Sequence, residues 1–224
     1  MIKHVHVSEC DSTQDILKEQ LSAEPEVRQV LVSCEQQNMG RGRGNNVWQA
    51  MPGSLCFSLS VEAHKISSFT ALEISLLVVR FFEFEGQTLK LKWPNDIWST
   101  QYKKCGGILV QNSQNMMLAG IGLNLFSSDS KFGGIYPRQF EFDKAAWAMK
   151  ISKYIYQHRY QNTDVLKKDW QDRCFHMHQK VLIRENGDNF IGRFVGLGVH
   201  GEALLASDLG VQRHYNGSLN LLMN

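Results

Sequence analysis

The sequence predicts an α+β protein, with strands and helices interleaved through most of the chain and a small β-barrel at the end. Three observations lead there. Apolar residues recur with a two-residue period in some runs and with helical spacing in others. The stretch from Gln179 to Asn224 holds only short β-like runs, separated by glycines and by Asn or Asp. The composition, 43% hydrophobic and 21% charged over 224 residues, is that of an ordinary globular chain. It excludes global disorder and leaves room for one large domain with a smaller companion.

Taken in order, Ile2 to Val7 alternates as a short strand. Asp11 or Ser12 then offers an N-cap to a helix through Ile16, Leu17 and Leu21. Val30 to Val32 reads as a buried strand running into the glycine-rich loop 40–44. From Gly53 to Val61, Leu55, Phe57, Leu59 and Val61 share one face. Residues 69–84 form an apolar helix on which Thr70, Glu73, Arg80 and Glu83 make a narrow polar stripe. Leu89 to Trp93 is a strand stopped by Pro94. Ile108 to Gln111 and Met116 to Leu125 make a hairpin joined by residues 112–115. Residues 143–172 are helical, and 144–180 hold eight Lys or Arg against three Asp, a basic face that is either solvated or a docking surface for an acidic partner. The tail then gives VLIR, FIGRFVGLG, EALLAS and SLNLLM, with the domain boundary at 176/177 (domains 1–176 and 177–224).

Twenty-four Lys and Arg against 22 Asp and Glu leave a net charge of +2, so any electrostatic function must come from local charge. The five cysteines are odd in number and none stand as CxxC. Reduced thiols in a cytoplasmic protein are expected, without a disulfide framework or a structural zinc site. The pairs His4/His6 and His176/His178 have no cysteine or carboxylate cluster at ligand spacing, and no metal site built from protein ligands is expected. The N-terminus has no apolar signal core, and the most apolar run, 69–84, is too short and too charged to span a bilayer. No membrane association is expected.

Four segments carry chemistry. In Gly40-Arg41-Gly42-Arg43-Gly44 the glycines free the backbone to wrap a ligand, and two guanidinium forks suit carboxylate or phosphate. No acidic residue lies between Gln36 and Gln49. The loop matches neither the Walker nor the dinucleotide glycine pattern, and alone it also reads as a flexible surface loop or a nucleic-acid contact. Lys92-Trp93-Pro94-Asn95-Asp96 ends a strand with polar groups that either line a cleft or serve as an ordinary turn. Lys104 precedes Gly106-Gly107, a place for a ligand against bare backbone or a bulge. Gly120 and Gly122 alternate in GIGLN and leave one strand face bare.

Together and in this order, Asp11-Ser12-Thr13-Gln14, the segment 37–48 with GRGRG, KWPNDI, KxGGILV and GIGLN closely resemble biotin–protein ligases. The resemblance covers nearly the whole chain. It implies a class II synthetase-like catalytic domain, with a mixed, largely antiparallel sheet flanked by helices, and an SH3-like C-terminal barrel. It implies ATP, Mg²⁺ and biotin as cofactors and substrate. Biotinyl-5′-AMP would form with release of pyrophosphate, and the biotinyl group would pass to a lysine of the carboxyl carrier domain of acetyl-CoA carboxylase or a related carboxylase. Ser12, Thr13, Gln14, Gln37, Arg41, Gly42, Arg43, Lys104 and Gly107 match the biotin-site positions. Arg43, Trp48, Lys92, Asn95 and Asn124 match the ATP site. Lys104, Arg41, Arg43 and Asp96 match the catalytic set, with Mg²⁺ near Asp96.

The chain starts at the catalytic domain, so no DNA partner is expected, and a monomer or weak homodimer is. Asn45 and Asn46 stand where relatives carry another basic residue in the loop, and Gln111 where relatives often have Glu. Two rival readings remain: a lipoate- or octanoate-transferring enzyme, and a nucleic-acid module using RGRG.

Overall fold

The two-residue apolar period builds a central seven-stranded sheet. The computed structural model describes residues 1–113, 116–129 and 131–222. The sheet strands are β1 (Lys3–Cys10), β2 (Val30–Gln37), β5 (Ser54–Val61), β6 (Leu89–Lys92), β7 (Asp96–Ser99), β8 (Lys104–Ser113) and β9 (Met116–Asn124). Their spatial order is β1-β2-β5-β9-β8-β7-β6. Only β1 and β2 pair in parallel; every other neighbour is antiparallel. Gln114 and Asn115, in the expected hairpin turn, lie outside the described residues.

Helices cover both faces. On one, α1 (Thr13–Ala23) buries Leu17 and Leu21 against Val30, Val32 and Leu118. On the other, α2 (Thr70–Phe84) and α3 (Lys144–Gln157) pack over Leu31, Leu55, Phe57 and Ile121. Covered on both sides, β5 is buried at all eight positions, where alternation alone predicts one open face. The polar stripe of α2 faces α3 and the segment that follows it. Glu73, fully buried, accepts from Arg159 Nη2 (2.7 Å) and Tyr160 N–H (2.7 Å). Arg80 reaches Tyr160 Oη (2.6 Å), and Glu83 accepts from Nε and Nη2 of Arg173 (2.8 and 2.7 Å).

Three details depart from the sequence reading. The helical stretch 143–172 breaks at 158–162, and α4 (Thr163–Arg173) restarts where Asn162 Oδ1 caps the N–H groups of Asp164 and Val165. Residues 96–99 continue the sheet as β7 instead of ending it. The glycine-rich loop is the tip of a two-stranded hairpin, β3 (Gly40–Arg41) with β4 (Val47–Trp48).

The tail forms a second sheet from β10 (Lys180–Glu185), β11 (Asp188–Leu197), β12 (Ala203–Ser207), β13 (Gly210–His214) and β14 (Ser218–Leu221). The order is β13-β12-β11-β10-β14, antiparallel throughout. Among the described residues β13 and β14 do not pair, so the expected barrel is an open five-stranded ladder. It is seated on the first sheet by one continuous apolar cluster holding Val181, Ile183, Phe194 and Leu219. Trp93 Nε1–H also donates to the Gly201 carbonyl (3.1 Å). No helix among the described residues is long and apolar enough to cross a membrane, and all five cysteines are free.

Candidate active site

Register assembles the site. Directly opposed residues on neighbouring strands share a face, and one cross-strand row reads Lys92, Asp96, Gly107, Gly122, Cys56. The adjacent row on that face reads Leu109, Gly120, Ser58. Three glycines in two rows leave a floor without side chains, on the face that carries α1. Above it lies a cavity of about 790 Å³.

The N-terminal turn of α1 forms one wall. Ser12 caps the helix without bonding its backbone, because Ser12 Oγ accepts from Arg41 Nη2 instead (3.2 Å). Thr13 binds Gln37 Oε1 through its N–H (2.9 Å) and its hydroxyl (3.2 Å), and also meets Ser58 Oγ at 2.7 Å. Gln14 spends its amide N–H groups on the Leu109 and Leu118 carbonyls (3.0 and 3.2 Å) and lies on Gly120. A Cβ at residue 120 would stand 2.9 Å from Gln14 Cδ. Uncharged acceptors and donors are thereby fixed at one end of the cavity.

Charge lines the rest of the cavity, and Arg41 brings it to Ser12 as well. Four cations, Arg41, Arg43, Lys92 and Lys104, and one carboxylate, Asp96, line the cavity. Lys104 Nζ sits 2.6 Å from Asp96 Oδ1. Both groups lie beside Gly107, where a Cβ would meet Lys104 Nζ at 3.6 Å and Asp96 Oδ1 at 3.7 Å. Lys104 reaches this place through a bulge: Trp98 pairs with Lys104 and Ile97 with Gly106, so Cys105 is displaced into the core. Its thiol is pushed up to about 12 by burial, that of a filler and not of a nucleophile. Burial also pulls the Lys92 ammonium pKa down, Lys104 adds to that, and Asp96 opposes both. Burial lowers Arg43 against the same carboxylate. These cations are held at a cost that an arriving anion would relieve.

The hairpin β3–β4 roofs the cavity. Its tip closes on itself: Gly42 N–H donates to the Asn46 carbonyl (2.8 Å), and Asn46 N–H and Nδ2 both return to the Arg43 carbonyl (3.2 and 2.8 Å). Asn46 therefore shapes the loop. Arg41 also meets Asp15 Oδ1 at 2.5 Å, and Arg43 Nη1 donates to the Gly217 carbonyl at 3.3 Å. Both guanidinium groups are engaged by this chain's own residues, which weighs against RGRG as a nucleic-acid contact.

Trp48 lies across Gly122 so closely that a Cβ there would come 2.5 Å from Trp48 Cε2. The indole separates this cavity from a second of about 690 Å³, bounded by Gln37, Gln49, Ala50, Ser54 and Lys144 among others. Asn124 lines neither. It is buried, and its Oδ1 accepts from Ser54 Oγ (2.8 Å), which faces the second cavity. Asn95 lines the first cavity while its Nδ2 donates to the Ile108 carbonyl. All the other expected site residues line the first cavity: Ser12, Thr13, Gln14, Gln37, Arg41, Gly42, Arg43, Trp48, Lys92, Asp96, Lys104 and Gly107. Sequence reasoning missed Ser58, whose hydroxyl belongs to an otherwise plain alternating strand, and Asn216 to Leu219, which close one side from the C-terminal sheet. An Asn-Gly pair in a β-rich tail signals a turn and nothing more.

Among the described residues no group of three or more His, Cys, Asp or Glu could hold a metal ion. His176 is packed against Phe194 and Trp170, and burial lowers its pKa to about 3. His4 and His6 both meet Ser33 Oγ at 2.8 Å.

The site is thus a bare-floored, cation-rich cavity under a glycine-tipped flap, with the chemistry to suit anionic small molecules. The chain belongs to the biotin/lipoate A/B protein ligase family, whose model matches residues 7–125. It is similar to the human biotin–protein ligase (32% identical over 120 residues, 47% of this chain and 16% of that protein). It is also similar to the bifunctional ligase/repressor BirA of Bacillus subtilis (25% over 214 residues, 85% of this chain and 66% of that protein). The chain thus spans at most about two-thirds of these relatives. The fold is shared with the biotin protein ligase of Aquifex aeolicus, solved with biotin and ATP (TM-score 0.77, 22% identity, 100% of both chains). It is also shared with the biotin acetyl coenzyme A carboxylase synthetase of Helicobacter pylori (TM-score 0.72, 19% identity, 96% of this chain and 100% of that one).

Proposed function

We propose that this chain is a biotin–protein ligase. It would activate biotin with ATP to biotinyl-5′-AMP, release pyrophosphate, and transfer biotin to a lysine of the carboxyl carrier domain of acetyl-CoA carboxylase or a related carboxylase. The observation that carries this is the four-to-one excess of cations over carboxylates around a cavity that also holds the uncharged hydrogen-bonding groups of Thr13, Gln14 and Gln37. A carboxylate attacking an α-phosphate brings anion to anion, and fixed cations are what lowers that barrier.

Ser12, Thr13, Gln14 and Gln37 take the ureido ring. Gln14 Oε1 accepts, since its N–H groups are spent, while Gln37 Nε2 donates, since its Oε1 is taken by Thr13. Lys104 meets the biotin carboxylate over the floor at Gly107. Arg41, Gly42 and Arg43 close above it and exclude water from the mixed anhydride. The nucleotide lies against Trp48 and toward the second cavity, with Asn124 one hydrogen bond behind Ser54. Lys92 and Asn95 serve the phosphates. The donor set fits Mg²⁺ that arrives with the nucleotide: one carboxylate, Asp96, is present, and such an ion is held mostly by phosphates and water. When bound it neutralises phosphate charge. In the second half-reaction Asp96 receives the acceptor ammonium. The ammonium gives one proton to the Asp96 carboxylate, the neutral lysine nitrogen bonds to the biotinyl carbon, AMP departs with the electrons of the broken C–O bond, and the second nitrogen proton passes to solvent.

A domain boundary at 176/177 and a cytoplasmic setting fit this reading; five free thiols support the latter. The family also contains lipoate enzymes, so the discriminating test offers the protein ATP, a carrier domain, and either biotin or lipoate. A mass increase on the carrier lysine with biotin and none with lipoate is expected; the reverse overturns the assignment.

A further inference from the structure

We propose that Glu185 is a positioning residue for the flap arginine Arg43, acting through the turn between β13 and β14; this rests on the ligase reading above. The turn presents the Gly217 carbonyl to Arg43 Nη1 at 3.3 Å, across 174 residues of sequence. Two constraints aim that carbonyl. The Glu185 carboxylate, at the end of β10, accepts the Asn216 N–H through Oε1 (2.9 Å) and His214 Nδ1–H through Oε2 (2.9 Å). It therefore ties the end of β13 to the start of the turn. A carboxylate only accepts, so His214 carries a proton on Nδ1, while its buried Nε2 has no partner. Beneath, Gly217 adopts φ +108°, and a Cβ there would lie 2.4 Å from the Arg184 carbonyl oxygen. Only glycine lets the turn rest on β10 in this way.

The turn thereby supplies a fixed neutral acceptor for a guanidinium that burial disfavours. It holds the flap down while leaving the remaining guanidinium N–H groups for an incoming anion. Loosening the turn frees the hairpin 40–48, and the reactive adenylate escapes more often.

The test uses the full chain with Glu185→Ala and Glu185→Gln. Gln keeps an acceptor for Asn216 N–H through Oε1, the bond that aims the turn, so it is the conservative rescue. Amide hydrogen exchange of residues 40–48, measured without ligand, is expected to quicken roughly tenfold in Glu185→Ala, the loss of about one hydrogen bond to a charged group. Biotinylation of bystander proteins per pyrophosphate released rises with it, and Glu185→Gln restores both. Unchanged exchange at 40–48 in Glu185→Ala, or a Gln variant no better than Ala, overturns the proposal. If Glu185→Ala unfolds the C-terminal sheet, Glu185→Asp decides on the same readout: its carboxylate is one methylene too short to hold both Asn216 N–H and His214 Nδ1–H, and unchanged exchange at 40–48 overturns the proposal. Absence of biotin-dependent pyrophosphate release in the wild type would sink the ligase reading, while hydrogen exchange at 40–48 would still report on the turn.

Discussion

On the side of the sheet packed by α2, each charge of the polar stripe meets an opposite one: Glu73 with Arg159, Arg80 with Asp169 and Glu83 with Arg173. On the side carrying α1, Arg43 and Lys92 make no ion pair among the described residues, and Asp96 is shared by Lys104 and their combined field. The two sides come from one set of strands and differ in what stands on them: large apolar side chains under α2, glycines under the flap. Paired charge stabilises a scaffold. Buried charge without a partner costs stability and persists where a ligand supplies the missing sign.

The comparison can be broken from either side. Glu73→Ala leaves Arg159 uncompensated in the interior and is expected to cost about 3–5 kcal/mol, read as a lower urea midpoint. A loss under 1 kcal/mol would mean that the α2 side is not where the stability lies. Lys104→Ala should reduce biotin-dependent pyrophosphate release by about 100-fold or more, with the urea midpoint little changed. Near-normal release would remove Lys104 from the chemistry. Gly122→Ala pushes the Trp48 indole off the floor and should weaken ATP binding by about tenfold, with a smaller effect on biotin binding measured by calorimetry. Equal loss of both ligands would contradict Trp48 as the divider between the two cavities.

The smallest effect sharpens the contrast at its border. His176 is a base that burial, with Lys92 adding to it, keeps neutral down to about pH 3. Its ordinary pKa is 6.5, so below that value the unfolded chain binds a proton that the folded chain refuses. Stability therefore falls as pH drops from 6.5 toward 3, by up to about 1.4 kcal/mol per unit. His176→Phe should lose this part of the slope between pH 6.5 and 5.5 in paired urea titrations; an unchanged slope would assign it to other groups.

Much of this was legible in the sequence. Apolar period placed the main strands and α2, because burial against a sheet imposes that period directly. Pro94-Asn95-Asp96 concealed β7: the same residue types that end a strand also turn it back into the sheet. The break at 158–162 went unread because α3 and α4 are both amphipathic and only Asn162 marks the restart. Within the site, glycines at 107, 120 and 122 announced a bare face, but that they form one floor follows from register, which no local spacing reports. Ser58 and the turn 216–219 were invisible for the same reason: their relevance lies in partners 45 and 174 residues away.

The central claim is that cations outnumbering the one carboxylate over a glycine floor bring the carboxylate of one ligand to the α-phosphate of another. Isotope exchange between pyrophosphate and ATP, run with and without biotin on the wild-type chain, tests it most directly. The account predicts exchange that depends on biotin and disappears when biotin is replaced by its methyl ester, which carries no carboxylate. Exchange that ignores biotin, or none in its presence, would contradict it.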